Sequence, residues 1–312
     1  MMLNIIKRKF NRALSLTHDI LDKCYNTLSF LFTKKENKIL INSWIRLSPN
    51  GLKINNWGDD INYWLLKELT DKKIYNLSDM FLKCLPKDQV NILAIGSIIE
   101  YLGNNNSLIW GSGAQNGPET LDFQPRKVLA VRGPKTRDKL LSKGISCPEV
   151  YGDPSMLLAK IYRPPTKKKY HIGIIPHYID KDNPLIKSFV GSRDDIAVIR
   201  MDDYDDWHDI PDRITECEII LSSSLHGLII SDTYNVPNVW ISLSDKIKGA
   251  SFKYLDYFAS VGRNQQAPVD VKMPDDFQVA INAASLWESA SLDLKPLIDC
   301  CPFKLKIASY GL

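Results

Sequence analysis

Residues 221–227 read LSSSLHG, directly after the short apolar pattern of residues 218–221 and ahead of a continuous apolar stretch. Ser222, Ser223 and Ser224, with the free backbone N–H groups of a helix start, make an anion site. His226 falls in the first helical turn, where it can donate to a phosphate oxygen or act as a general acid. The structural alternative is a serine cap with a satisfied histidine behind it. Other residues placed after strand patterns carry related chemistry. Arg132 follows residues 127–131, and its fork-shaped guanidinium suits a carboxylate or phosphate; a surface arginine at a turn is the competing reading. Lys253 stands alone among Phe252, Tyr254, Tyr257 and Phe258, as an anion ligand or as a cation snorkelling past the rings. His177 ends the pattern of residues 172–175, and Gly113 closes a Gly-Ser-Gly turn after residues 107–110.

Asn56, Asp59 and Asp60 precede a helical pattern. Asp59 could take a hydroxyl proton, with Asn56 and Asp60 holding the molecule that loses it. The alternative is a helix cap in favourable contact with the helix dipole. Asp153, in Gly-Asp-Pro, either contacts substrate or fixes a turn. The acidic run of residues 202–212 lacks the glycine and terminal glutamate of a calcium loop and reads as solvated loop. No metal or cofactor is expected.

The elements that position these residues alternate. Strand patterns at 39–44, 91–95, 107–110 and 127–131, with helical patterns at 62–69 and 136–143, form a first half. A Pro- and Lys-rich break at 161–169 follows. Strand patterns at 171–175, 196–200, 218–221 and 238–242, with helical patterns at 226–234 and 276–292, form a second half. Strand, glycine turn, helix is the rhythm of a parallel sheet with covering helices. The expected fold is α/β, with two doubly wound, Rossmann-like domains facing across a cleft, residues 36–162 and 163–312. Ligands in such sheets bind beyond the carboxyl ends of the strands.

Residues 1–35 read as a separate basic amphipathic arm. Leu3, Ile5, Ile6, Phe10, Leu14, Leu21, Tyr25, Leu28 and Leu31 recur at roughly helical spacing among Lys7, Arg8, Lys9 and Arg12. Such a helix can lie in a lipid headgroup layer, or pack on the protein's own surface. No secretory signal and no spanning stretch are expected. The expected location is cytoplasmic, with the arm offering peripheral contact at the inner face of the cytoplasmic membrane. The chain of 312 residues is 44% hydrophobic with a formal charge of +4, which does not point to nucleic acid. Its six scattered cysteines read as reduced core thiols.

SSSLHG followed by LIISDTYNVPNVW resembles the signature of the polysaccharide pyruvyl transferases. NWGDDIN at 56–62, GSGAQ at 111–115, VRGPKTR at 131–137, YGDPSML at 151–157, IGIIPHY at 172–178 and FKYLDYF at 252–258 match the same family in order. Many members carry an arginine where this chain has Ser224, which leaves the phosphate charge to Arg132 or Lys253. The resemblance implies a fold similar to B-type glycosyltransferases, preceded here by the N-terminal helix. It implies phosphoenolpyruvate as donor and a sugar as acceptor, lipid-linked or free, of a bacterial surface or exopolysaccharide. Donor binding would then fall to Arg132, Ser222, Ser223, Ser224, Lys253, His177 and Gly113. Acceptor binding would fall to Asn56, Asp60 and Asp153, and proton transfer to His226 and Asp59. A nucleotide-sugar glycosyltransferase with Asp245 on the ribose, and a non-catalytic membrane-associated scaffold, are the competing readings.

Overall fold

The computed structural model describes residues 2–115, 121–165, 167–246 and 250–306. The side chains of residues 2–15 lie outside the described residues, and with them Leu3, Ile5, Ile6, Lys7, Arg8, Lys9, Phe10, Arg12 and Leu14 of the arm.

Two parallel sheets carry the fold. The first contains β1 (Lys38–Ile41), β2 (Lys73–Asn76), β3 (Asn91–Leu93), β4 (Ser107–Trp110) and β5 (Lys127–Ala130), in the order β2-β1-β3-β4-β5. The second contains β6 (Tyr170–Ile175), β7 (Ile196–Val198), β8 (Cys217–Ser222), β9 (Asn238–Ser242) and β10 (Val269–Asp270), in the order β10-β9-β8-β6-β7. Counted from its own first strand, each sheet has the same order: second, first, third, fourth, fifth. Each therefore reverses its winding between its first and third strands, the switch point at which open α/β sheets bind ligands. The apolar runs Ile39–Ile41 and Ile172–Ile175 are what strands covered on both faces require.

Five helices matter for the site: α1 (Met2–Phe32), α2 (Trp57–Leu69), α3 (Pro134–Ser142), α4 (Leu225–Thr233) and α5 (Ala250–Ser260). The last turns of α1 are docked on the first sheet. Asn26, Thr27 and Phe30 are buried, and the Asn26 amide donates to the Leu47 carbonyl at 3.0 Å. Strands β4 and β9 have the bounds expected from sequence. β2, β10, α5 and the helix Asp209–Thr215 were not expected. Cys147 and Cys217 are core thiols, but Cys24 and Cys84 are exposed, against expectation.

The halves share one core cluster, which joins Ile41, Trp57 and Leu65 to Ile175, Trp207, Leu228 and Tyr257. The chain also returns to its first half at the end. The Trp110 indole donates to the Leu297 carbonyl at 2.8 Å, and the Lys306 amide donates to the Leu69 carbonyl at 2.9 Å.

A buried ion pair crosses between the halves. Arg132, after β5, donates through Nε to Asp256 Oδ2 of α5 at 3.0 Å, and its Nη2 lies 2.9 Å from the same oxygen. Its remaining donors reach Ser97 Oγ and, at 2.8 Å, the Ala114 carbonyl. Thr136 of α3 donates its amide to Asp256 Oδ1 at 2.8 Å and its hydroxyl to Oδ2 at 2.7 Å. Both charged side chains are fully enclosed. Removing one partner leaves the other charge buried and uncompensated, at a cost of about 3–5 kcal/mol. Arg132→Met is therefore expected to lower unfolding stability by about that amount in urea titration. A loss below about 1 kcal/mol, the level of an exposed pair, would show that the pair does not hold the halves.

Candidate active site

A cavity of about 860 Å³ opens between the carboxyl ends of the two sheets. From the first half it is lined by Trp44 after β1, by Gly96, Ser97 and Ile98 after β3, and by Asn56, Gly58 and Asp59 at the start of α2. From the second half come His177 after β6, Ser224 and His226 after β8, and Lys253 of α5. Both switch points thus face one space.

The start of α2 is fixed from both sides. Asn56 is its N-cap and accepts from the Gly58 amide at 3.1 Å. The Trp57 amide and indole donate to the carbonyls of Met201 and Trp207 in the second half, both at 2.8 Å. Asp60 turns away from the cavity. Its Oδ2 accepts from the Asn55 amide and the Tyr204 hydroxyl, both at 2.7 Å. Asp59 remains on the wall. Burial, reinforced by the neighbouring Asp60 and opposed by Lys253, lifts its pKa to about 7.

The start of α4 faces it. The amides of Leu225, His226 and Gly227 have no acceptor among the described residues, as expected for a first turn. Of the three serines only Ser224 lines the cavity. Ser222 Oγ donates to backbone carbonyls and accepts from the Ser224 amide at 3.0 Å. Ser223 Oγ accepts from the His177 amide at 2.8 Å, and its carbonyl accepts from the Tyr254 hydroxyl at 2.6 Å. Ser222 and Ser223 therefore build the turn, while Ser224 faces the ligand space.

His226 Nδ1 stands against Gly58, where a Cβ would come within 2.4 Å. Among the described residues its Nε2 is buried without a hydrogen-bond partner, 3.9 Å from Asp153 Oδ2, which also lacks one. Burial lowers the His226 pKa; Asp153 works against that, and Lys253 and Arg132 add to it. Asp153 Oδ1 caps the turn by accepting from the Ser155 amide and hydroxyl. Asp153 thus sits behind His226 and does not line the cavity.

Lys253 makes no hydrogen bond or ion pair among the described residues, and its ammonium lies 5.3 Å from the Tyr254 ring centre. Burial, then Arg132, bring its pKa down to about 8, against an upward pull from Asp59. His177 is pushed down to about 4 by burial and by Lys253, so it is neutral near pH 7. Its Nδ1 accepts from the Ile179 amide at 3.4 Å, which leaves the proton on Nε2.

Arg132 and Gly113 are corrected by the structure. Neither lines the cavity: Arg132 is consumed by Asp256, and Gly113 packs on its guanidinium, where a Cβ would lie 2.3 Å from Cζ. Asp245 is exposed and outside the lining, so no ribose carboxylate stands there. The acidic run is more than solvated loop. Met201, Tyr204 and Trp207 are buried against the first half. Asp202 lines the cavity, paired with Lys181 at 2.6 Å and Arg200 at 3.1 Å, and those cations hold its pKa at about 2. Ser97, Tyr101, Gln115, Tyr178, Lys181 and Asp202 were missed as lining residues. The Gly-Ser step at 96–97 after a strand, and the motifs that end at Gln115 and Tyr178, carried a signal.

A raised carboxyl, two buried histidines, an ammonium without a partner among the described residues and an open helix start thus surround one space. A family model for polysaccharide pyruvyl transferase matches residues 24–245, and the chain belongs to that family. It is a transferase of the pyruvyl class. It is 30% identical over 221 residues to uncharacterized protein L143 of Acanthamoeba polyphaga mimivirus, covering 66% of this chain and 71% of that one. It is 24% identical over 241 residues to the succinoglycan biosynthesis protein ExoV of Rhizobium meliloti (strain 1021), covering 74% and 69%.

The contact of Gly58 with His226 gives a direct test. Gly58→Ala inserts a methyl at the Nδ1 position and must turn the imidazole. Misplacement of about 1 Å costs about 100-fold in rate, so kcat is expected to fall by that order with the melting temperature nearly unchanged. Wild-type kcat in this variant would remove His226 from the rate-determining geometry.

Proposed function

We propose that this chain transfers pyruvate from phosphoenolpyruvate to two hydroxyls of one sugar as a ketal. The observation that carries this is the unpaired, buried Lys253 ammonium beside the open start of α4, facing the raised carboxyl of Asp59. Phosphoenolpyruvate brings a carboxylate and a phosphate, which need cations and aimed N–H groups. In the first step a sugar oxygen bonds to C2 while its proton passes to Asp59. C3 gains a proton, which Asp59 can pass on, while His226, its pKa lowered by burial and so neutral at this pH, is placed to donate an N–H to a phosphate oxygen. Phosphate then leaves with the C–O bonding pair. The second hydroxyl closes the ring on C2 and releases its proton. The sum is one phosphoenolpyruvate and one diol giving one ketal and one phosphate. Lys253, Ser224, the α4 amides and neutral His177 would hold the donor.

In this scheme residues 163–312 are the donor side and residues 36–162 the acceptor side of a cleft similar to that of B-type glycosyltransferases. Asn56 would hold the sugar. The relative from succinoglycan biosynthesis supports a bacterial surface or exopolysaccharide, or its lipid-linked repeat unit, as acceptor. A cytoplasmic location suits such an acceptor.

The experiment is phosphate release from phosphoenolpyruvate across a panel of glycan acceptors, with mass analysis of products. An acceptor gain of about 70 Da, pyruvate less water, is expected with wild type. His226→Ala is expected to abolish it in a folded protein. Uptake of a sugar from a nucleotide donor in its place would sink the proposal.

The pH dependence follows from two groups. Asp59 must be ionised to accept a proton, so kcat/KM rises as pH passes about 7. Lys253 must be charged to hold the donor, so kcat/KM falls as pH passes about 8. A narrow bell between these values is expected. Lys253→Arg keeps its charge at higher pH and should remove the alkaline limb alone. An unchanged alkaline limb in that variant would assign it to another group.

A further inference from the structure

Helix α1 buries one side and leaves the other bare. Asn26 and Phe30 point into the first half, and Asp19 and Asp22 flank that side through ion-pair contacts with Lys53. At 3.6 residues per turn, Ile20, Leu21, Cys24, Tyr25, Leu28, Leu31 and Phe32 fall on one arc of about 140° that contains no charge. All are exposed, with Phe32 85%, Leu21 64% and Leu28 55% accessible. The sequence of residues 2–15 keeps the same register through Leu3, Ile6, Phe10 and Leu14.

The edges of this stripe are basic. On one side Phe81 donates its amide to Thr27 Oγ1 at 3.0 Å, which sets the exposed Leu82 and then Lys83 beside the stripe. On the other, the Lys73 ammonium lies 5.6 Å from the Tyr25 ring centre. Lys67, Lys72 and Lys73 join Tyr25 around a second cavity of about 640 Å³, which Glu68 and Asp71 share. Asp71 is already paired with Lys306 at 2.7 Å. Lys34 and Lys35 follow the helix end, with Glu36 after them.

We infer that this face docks on a bilayer containing anionic lipid, with the α1 stripe in the acyl boundary and the flanking lysines at the phosphates. An apolar arc edged by cations matches that surface in both its chemistries. A second copy fits less well, because a two-fold contact through the stripe would set the flanking lysines against each other. The active-site cavity is lined by none of these residues, so docking and turnover separate experimentally.

The test is flotation of the full chain with vesicles of phosphatidylcholine alone and of phosphatidylcholine with phosphatidylglycerol, at low and high salt. Binding is expected with the anionic vesicles, weakened by salt. The double variant Leu28→Glu, Phe32→Glu should bind at least about tenfold more weakly with an unchanged thermal transition. Lys34→Glu with Lys35→Glu should lower binding to anionic vesicles alone. Equal binding of wild type to both vesicles would overturn the anionic requirement. Undiminished binding by the Leu28, Phe32 variant would overturn the role of the stripe. A wild-type dimer in sedimentation that this variant dissociates would assign the face to a second copy.

Discussion

The Arg132–Asp256 pair is the constraint on which the site depends. Lys253 and Asp256 are three residues apart on α5, so they share a face of that helix. Fixing Asp256 against Arg132 and Thr136 of the first half fixes where Lys253 stands. The same arginine holds Ser97, another cavity residue. Burying two charges gains little net stability against a well-packed apolar pair. What it supplies is register: guanidinium and carboxylate satisfy each other in one geometry, so the two sheets meet in one arrangement. The tryptophan at the start of α2 does the same from the opposite side through the carbonyls of Met201 and Trp207.

The charges of the cavity follow from that closure. Enclosure withdraws water from Asp59, Lys253 and His177, and each moves toward its neutral form. Asp59 and Lys253 also restrain each other's shift, which leaves an interval near neutrality in which both are charged. Asp60, one residue on, keeps its carboxylate within hydrogen bonds to Asn55 and Tyr204. Two adjacent aspartates thus acquire different roles because the helix start directs one to the cavity and the other to the core.

Much of the fold was legible because its strands are apolar runs closed by glycine or serine turns. The strands of residues 107–110 and 238–242 have their sequence bounds in the structure. β2 was not, because Lys73-Ile-Tyr-Asn is too short and polar to stand out, and its place beside β1 is set by pairing. Asp59, His177, Ser224, His226 and Lys253 could be read from the motifs and do line one space. Arg132 could not be read correctly. A cation after a strand looks the same in sequence whether it meets a ligand or a carboxylate 124 residues away. Asp202 and Lys181 were hidden for the converse reason, since they reach the cavity from segments with no turn signature.

Ser224 brings these points together. This chain places a small hydroxyl at the cap of α4, on the cavity wall. A hydroxyl brings no charge, so an anion held at this helix start needs a cation nearby. Lys181 is occupied by Asp202, and Arg132 by Asp256. Lys253 is buried on the same wall without a partner among the described residues. Its depressed pKa means that it has no counter-charge strong enough to offset enclosure. A bound phosphate would supply that counter-charge and draw the ammonium back toward its ordinary value. A weakly hydrated cation without a counter-charge attracts an anion more strongly than a solvated one does, which is the physical ground for proposing Lys253 as the ligand of the donor's phosphate.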